Sequence, residues 1–112
     1  MYKINGTVYF VGKNASDNWR ILDESNPQDI WIHLHNSPSC YVIIQHKKKR
    51  AISNADIETA CKLCIQQSKI DESCESQEFS YLRCKYVSKG NTVGQARLHK
   101  SPDIYTVRVQ PR

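Results

Sequence analysis

No run of apolar residues in this chain approaches the ~20 that a helix needs to cross a bilayer. Met1-Tyr2-Lys3-Ile4-Asn5-Gly6 carries no apolar segment of the kind that opens a secretory leader. The cysteines, Cys40, Cys61, Cys64, Cys74 and Cys84, are five, and an odd set without a leader argues against a disulfide framework. A reducing, cytoplasmic setting without a membrane partner is the expectation. Catalytic signatures are missing as well. Gly12-Lys13-Asn14 lacks the Gly-x-x-x-x-Gly-Lys-Ser/Thr spacing of a phosphate-binding loop, and neither a Gly-x-Ser-x-Gly elbow nor a His-Glu-x-x-His helix occurs. Asp23-Glu24 read as polar surface. With no nucleophile placed beside a base, an enzyme is not expected and no cofactor is called for. There is no internal repeat or low-complexity tract.

What the chain does have is basic charge, unevenly spread. Its 112 residues predict one domain over 1–112, long enough to bury a core. The formal charge is +5 and the pI about 9.0, which favours a polyanionic partner. Residues 81–112 hold Arg83, Lys85, Lys89, Arg97, Lys100, Arg108 and Arg112 against Asp103 alone, a net of +6, so the remainder sums to −1. Cations on a strand beside Tyr81 can grip phosphates and stack a base, giving affinity without sequence specificity. Lys47-Lys48-Lys49-Arg50 is the densest charge run. Its plain reading is a solvated loop; its functional reading is a further phosphate contact.

The pattern of residues predicts an α+β fold. Tyr2 to Val11 reads as a hairpin turning on Asn5-Gly6. A short helix over Ala15–Leu22 follows, with Asn14 or Ser16 as cap. In Asp29-Ile30-Trp31-Ile32-His33, apolar residues alternate with a Trp and a His, which predicts a strand with one buried face. Its partner covers about residues 40–46. Ser53 and Asp56 look like a capping box. Ile57, Ala60, Cys61, Cys64 and Ile65 then form one helical stripe, giving a main helix over about 53–69. Asp71–Glu78 reads as a solvated loop, Phe79–Val87 as a strand, Gln95–His99 as a short strand and Ile104–Gln110 as the last. The sheet is expected to be mixed, mostly antiparallel, with the main helix on one face and the other face open and basic.

Two clusters have chemical readings. Cys61-x-x-Cys64 suggests zinc, but four ligands are needed and Cys74 and Cys84 form no second close pair. On the helix both thiols fall in the apolar stripe, where Cys serves as a small hydrophobe. Cys40, in a turn, reads as inert. His33 and His35 share a strand face, with His46 and His99 as conceivable co-ligands, yet no carboxylate is placed beside them. No metal site is assigned.

Three segments together resemble the RNA-binding domain of the NFACT family, formerly a domain of unknown function. Gly12-Lys13-Asn14-Ala15-Ser16-Asp17-Asn18 is similar to the family's Gly-Arg/Lys-Asn-Ala-x-x-Asn turn. Asp29 to His33 and Pro38 to Ile44 are similar to its Asp-Ile-Trp-Phe-His strand, Pro-Gly-Ser-His turn and Val-Ile-Ile strand. Cys84–Lys89, Val93-Gly94-Gln95 and Thr106–Val109 resemble its C-terminal strands. Where the family has Gly-Ser-His, this chain has Ser39-Cys40-Tyr41. In the family the domain occurs in ribosome-associated quality-control factors that bind stalled large subunits and tRNA, and in small eukaryotic proteins where a coiled coil follows. With the sequence ending at Arg112, the expectation is a module acting alone. The resemblance implies RNA or DNA binding, and carries over Lys13, Asn14, Asn18, His33, Lys85 and Lys89 as contacts. Tyr41 joins them as a ring able to stack on a base. With Lys47, Lys48, Lys49, Arg50, Tyr81, Arg83, Arg97 and Lys100 these make up the expected interface. The expected function is a non-catalytic nucleic-acid-binding module preferring RNA, with tRNA or the large ribosomal subunit as the implied partner. The alternative is an adaptor docking an acidic protein.

Overall fold

Asn5 and Gly6 take φ of 50° and 82°, the two positive values a type I′ turn needs. They join β1 (Tyr2–Ile4) to β2 (Thr7–Val11) in the expected hairpin. The computed structural model describes residues 1–69 and 76–108. Helix α1 (Ala15–Glu24) follows, then strands β3 (Ile30–Leu34) and β4 (Val42–Ile44), helix α2 (Asn54–Ser68), β5 (Ser76–Arg83), a 3-10 turn at Cys84–Tyr86, β6 (Val87–Lys89), β7 (Ala96–Leu98) and β8 (Asp103–Arg108). The main sheet runs β1-β2-β4-β3-β5-β8, and β6 and β7 form a separate hairpin. Among the described residues every strand pairing is antiparallel.

Both helices start where local chemistry says they should. Asn14 caps α1, its side chain accepting from the Asp17 N–H at 2.9 Å. Arg20 pairs with Asp17 and with Glu24 one turn on, and the helix runs through Glu24 rather than stopping at Leu22. In α2, Ser53 and Asp56 exchange the two bonds of a capping box. Asp56 also accepts from Thr7 Oγ1 at 3.0 Å, tying the start of α2 to β2. The expected stripe, Ile57 to Ile65, is buried against Tyr9, Ile30, Ile32, Val42, Ile44, Phe79 and Val107.

The second face of the sheet is not open. Trp31, Tyr41, Ile43 and Leu82 project there and are buried under Ile21 and Leu22 of α1 and Val87, Ala96 and Leu98 of the β6–β7 hairpin. The near-continuous apolar character of Ile30-Trp31-Ile32 carries that signal, since a strand covered on both faces shows no polar side.

The single strand expected over 79–87 breaks at Arg83. Arg83 pairs with Ile30, the first residue of β3, so no strand lies beyond it. The Cys84 and Lys85 N–H groups bond instead to the Asp29 and Pro27 carbonyls, and the chain turns away into the hairpin. Of the expected acidic loop, Ser76–Glu78 belong to β5, paired with Arg108–Thr106. Residues 70–75 lie outside the described residues, as do 109–110 of the last expected strand. Asp103, just before the expected last strand, opens β8 opposite Tyr81. Asp29, the charged residue that opens β3, is 2% exposed and accepts from the Asn26 and His46 N–H groups. Its role is to close the turn before the strand. No described helix is long and apolar enough to cross a membrane.

Candidate nucleic-acid interface

A groove of about 780 Å³ opens on the α1 side of the sheet, at the end of β3. The start of α1 forms one wall with Lys13, Asn14, Ala15 and Asn18. The tip of the β6–β7 hairpin, Val93 to Ala96, forms another. The β3–β4 turn and the last residues of α2 close the third side.

The floor is aromatic. Trp31 and His33, two apart on β3, stack at 5.6 Å with 7° between planes. Tyr41 meets both edge-on, at 5.5 and 5.7 Å. Beyond them, His35 Nδ1 and Ser80 Oγ lie 2.8 Å apart. Burial pushes the His33 imidazole below its usual 6.5, so it is neutral at pH 7. A histidine lowered in the fold stabilises above the unfolded value and loses that contribution as pH falls below it. Melting temperature is therefore expected to drop as pH falls through about 6.5, and a His33→Gln protein should show a shallower drop. Equal slopes in both proteins, followed by circular dichroism, would remove this assignment.

Tyr41 departs from expectation. It is 0% exposed, and its hydroxyl donates to the Gly94 carbonyl at 2.6 Å. Burial pushes its phenol up to about 12. A base cannot stack on it. Its task is to anchor the hairpin tip, together with Trp19, whose indole N–H donates to the Gln95 carbonyl at 3.0 Å. Asn18 is likewise committed: it is buried, and its Oδ1 accepts from the Tyr41 N–H at 3.0 Å. Asn14 spends its Oδ1 on the α1 cap. The Lys13 N–H donates to Asp17 Oδ2, and the Lys13 side chain is exposed at the groove. Hydrogen bonds from Arg20 and from the Lys13 backbone hold the Asp17 carboxyl below the usual range.

The structure brings Lys13, Asn14, Asn18 and His33, four of the residues the resemblance carries over, to one groove. It adds His35, Ser80, Val93 and Gln95, which sequence reading did not assign to an interface. Ser80 could have been found from register alone, since it pairs with His33.

The expected cationic platform is divided. Lys85 and Lys100, both exposed, place their ammonium groups 5.0 and 5.1 Å from the Tyr86 ring centre. Lys89 lies over the Trp19 ring but is paired with Asp23 at 3.1 Å. Arg97 is exposed on β7 and donates to Asn91. These four gather on the hairpin and its flanks. Arg83 donates to the Gln28 carbonyl at 2.6 Å, and Tyr81 packs, half-buried, against the α2-side core. Arg108 stands on edge strand β8, beside Lys62 and Leu63 of α2. Lys47 and Arg50 reach the carbonyls of Gly6 and Asn5 and hold the β1–β2 turn; Lys48 and Lys49 are exposed in the same loop. Among the described residues, no group of three or more His, Cys, Asp or Glu is arranged to hold a metal.

The molecule is thus an α+β domain whose doubly covered sheet presents a preformed aromatic groove beside a lysine-bearing hairpin. Comparison with known families gives this class its name: a profile described as "NFACT protein RNA binding domain" matches residues 1–100, and the chain belongs to that family. The family is one of RNA-binding domains, not a catalytic one. A solved structure of the C-terminal part of the fibronectin/fibrinogen-binding protein from Streptococcus suis shares the fold, with a TM-score of 0.79 and 21% identity. The match covers 98% of this chain and 44% of that one, so this chain spans less than half of it. No curated protein matches the sequence.

Proposed function

We propose that this chain is a non-catalytic module, one unit over 1–112, that binds structured RNA along the groove and the outer side of the β6–β7 hairpin. The observation that carries the reading is the junction of two chemistries. The half-buried His33 ring, backed by the buried Trp31, and the exposed Lys13 side chain at the start of α1 suit a nucleotide and its phosphate. Lys85 and Lys100, flanking Tyr86 next door, suit the adjoining backbone. RNA is preferred to DNA in this proposal because unstacked bases in loops and ends can enter such a groove, whereas duplex bases cannot. The family resemblance points to tRNA or large-subunit ribosomal RNA, and with them to a cytoplasmic role in ribosome quality control.

Mobility shifts with tRNA, single-stranded RNA and duplex DNA, at low and moderate salt, test this. Binding to the RNAs should exceed that to duplex DNA and weaken as salt rises. Failure to shift any RNA, with tight binding to an acidic protein instead, would favour the adaptor reading and overturn this one.

A further inference from the structure

Cys40, Cys61, Cys64 and Cys84 are all free thiols. Cys61 and Cys84 behave as core: burial pushes both up to about 12. Cys40 differs from the inert turn residue expected. Its Sγ lies 3.7 Å from Cys64 Sγ, across from the last turns of α2. Cys64 therefore has a sulfur neighbour 24 positions earlier in the chain.

The two thiols are held in place. The Cys40 N–H donates to Ser68 Oγ at 2.8 Å, fastening the β3–β4 turn to the end of α2. The Cys64 S–H reaches Ser39 Oγ and the Cys40 carbonyl, each at 3.5 Å. Cys40 and Ser39 also line the groove, which gives a small solute a path to Cys40, with Cys64 behind it. A disulfide needs its sulfurs about 2.05 Å apart, so the pair must close by less than 2 Å.

We propose that Cys40 and Cys64 form a peroxide-reactive dithiol site, Cys40 reacting first and Cys64 resolving it to a disulfide. The Cys40 thiolate attacks one oxygen of the peroxide. The O–O bond breaks, hydroxide leaves and takes up the thiol proton as water, and Cys40 becomes a sulfenic acid. The Cys64 sulfur then attacks Cys40 Sγ. The S–O bond breaks, and the departing oxygen collects the Cys64 proton as a second water. Two electrons pass from the sulfurs to the peroxide. The order follows from the environment. Cys40 lines the groove while Cys64 does not, and the Cys64 hydrogen bond draws the Cys40 thiol down against the pull of burial while the same neighbour and burial push Cys64 up. Cross-linking would fix the groove wall formed by residues 39 and 40 to α2. The site stands whether or not the groove holds RNA.

The test treats the reduced full chain with hydrogen peroxide. Thiols titrated in denaturant are expected to fall by two from the five of the sequence. Proteolysis should yield a peptide joining Cys40 to Cys64 that dithiothreitol splits. Cys61→Ala should keep the cross-link and Cys40→Ser should abolish it. Cys64→Ser should leave Cys40 as a sulfenic acid that a dimedone probe labels. A cross-link from Cys40 to Cys61 or Cys74, over-oxidation of Cys40 in the parent chain, or five unreacted thiols would each overturn the proposal.

Discussion

Gly12→Ala is expected to cost roughly 2–5 kcal/mol of stability and to lower the melting temperature by on the order of 10 °C or more. A Cβ at this position would lie 1.8 Å from Asn18 Oδ1 and 3.2 Å from the Asn18 Cα, so the whole residue is in the way. Asn18 cannot simply swing aside. Its Oδ1 accepts from the buried Tyr41 N–H, and displacing it leaves that donor without a partner. The Gly12 N–H in turn donates to the Tyr41 carbonyl at 3.0 Å. Gly12, Asn18 and Tyr41 thus form the joint by which α1 is seated on β4. Chemical denaturation of the single variants and of Gly12→Ala with Asn18→Gly checks this. In the Asn18→Gly background the added methyl should cost much less, because the clash is gone and the Tyr41 N–H is already unpaired. A Gly12→Ala protein within about 0.5 kcal/mol of the parent would show that the joint yields freely.

That joint gives most of the Gly-Lys-Asn-Ala-x-x-Asn turn a structural task. Gly12 makes room, Asn14 caps α1, and Asn18 holds β4. Of the segment's candidates only Lys13 keeps a side chain exposed and uncommitted to the scaffold. Features set by neighbours in sequence were legible from sequence: the Asn5-Gly6 turn, the Ser53–Asp56 box and the α2 stripe depend on residues within a few positions. What was not legible depends on distant partners. Tyr41 reads as a stacking ring because a tyrosine beside a strand says nothing of Gly94, 53 residues on, which takes its hydroxyl. Lys89 reads as a phosphate contact because Asp23, 66 residues earlier, is invisible as its partner. The cover on the second sheet face was hinted at by Ile30-Trp31-Ile32, but which elements supply it is decided by the turn-away at Arg83.

Reversing the charge of Lys85 and Lys100 together should lower RNA affinity roughly 100-fold, each lost charge-assisted phosphate contact being worth about 1.5 kcal/mol. Folding should change little, because both side chains are exposed and each makes a cation–π contact with Tyr86, which at an exposed site is worth about 0.5–1 kcal/mol. Of the three lysines that the resemblance carries over, Lys13, Lys85 and Lys89, the last is paired with Asp23, so Lys100 is the better partner for Lys85. The decisive control is Lys48→Glu with Lys49→Glu, in the loop that holds the β1–β2 turn. Both double variants change the net charge by the same amount, so long-range steering is weakened alike and any difference reports contact. Milder Lys85→Ala with Lys100→Ala should reduce the slope of log K against log salt by about 2, one per phosphate released. Filter binding of tRNA across a salt series reads both effects. If the loop variant loses as much affinity as the hairpin variant, attraction to RNA is diffuse and the hairpin beside the groove is not the surface that holds it.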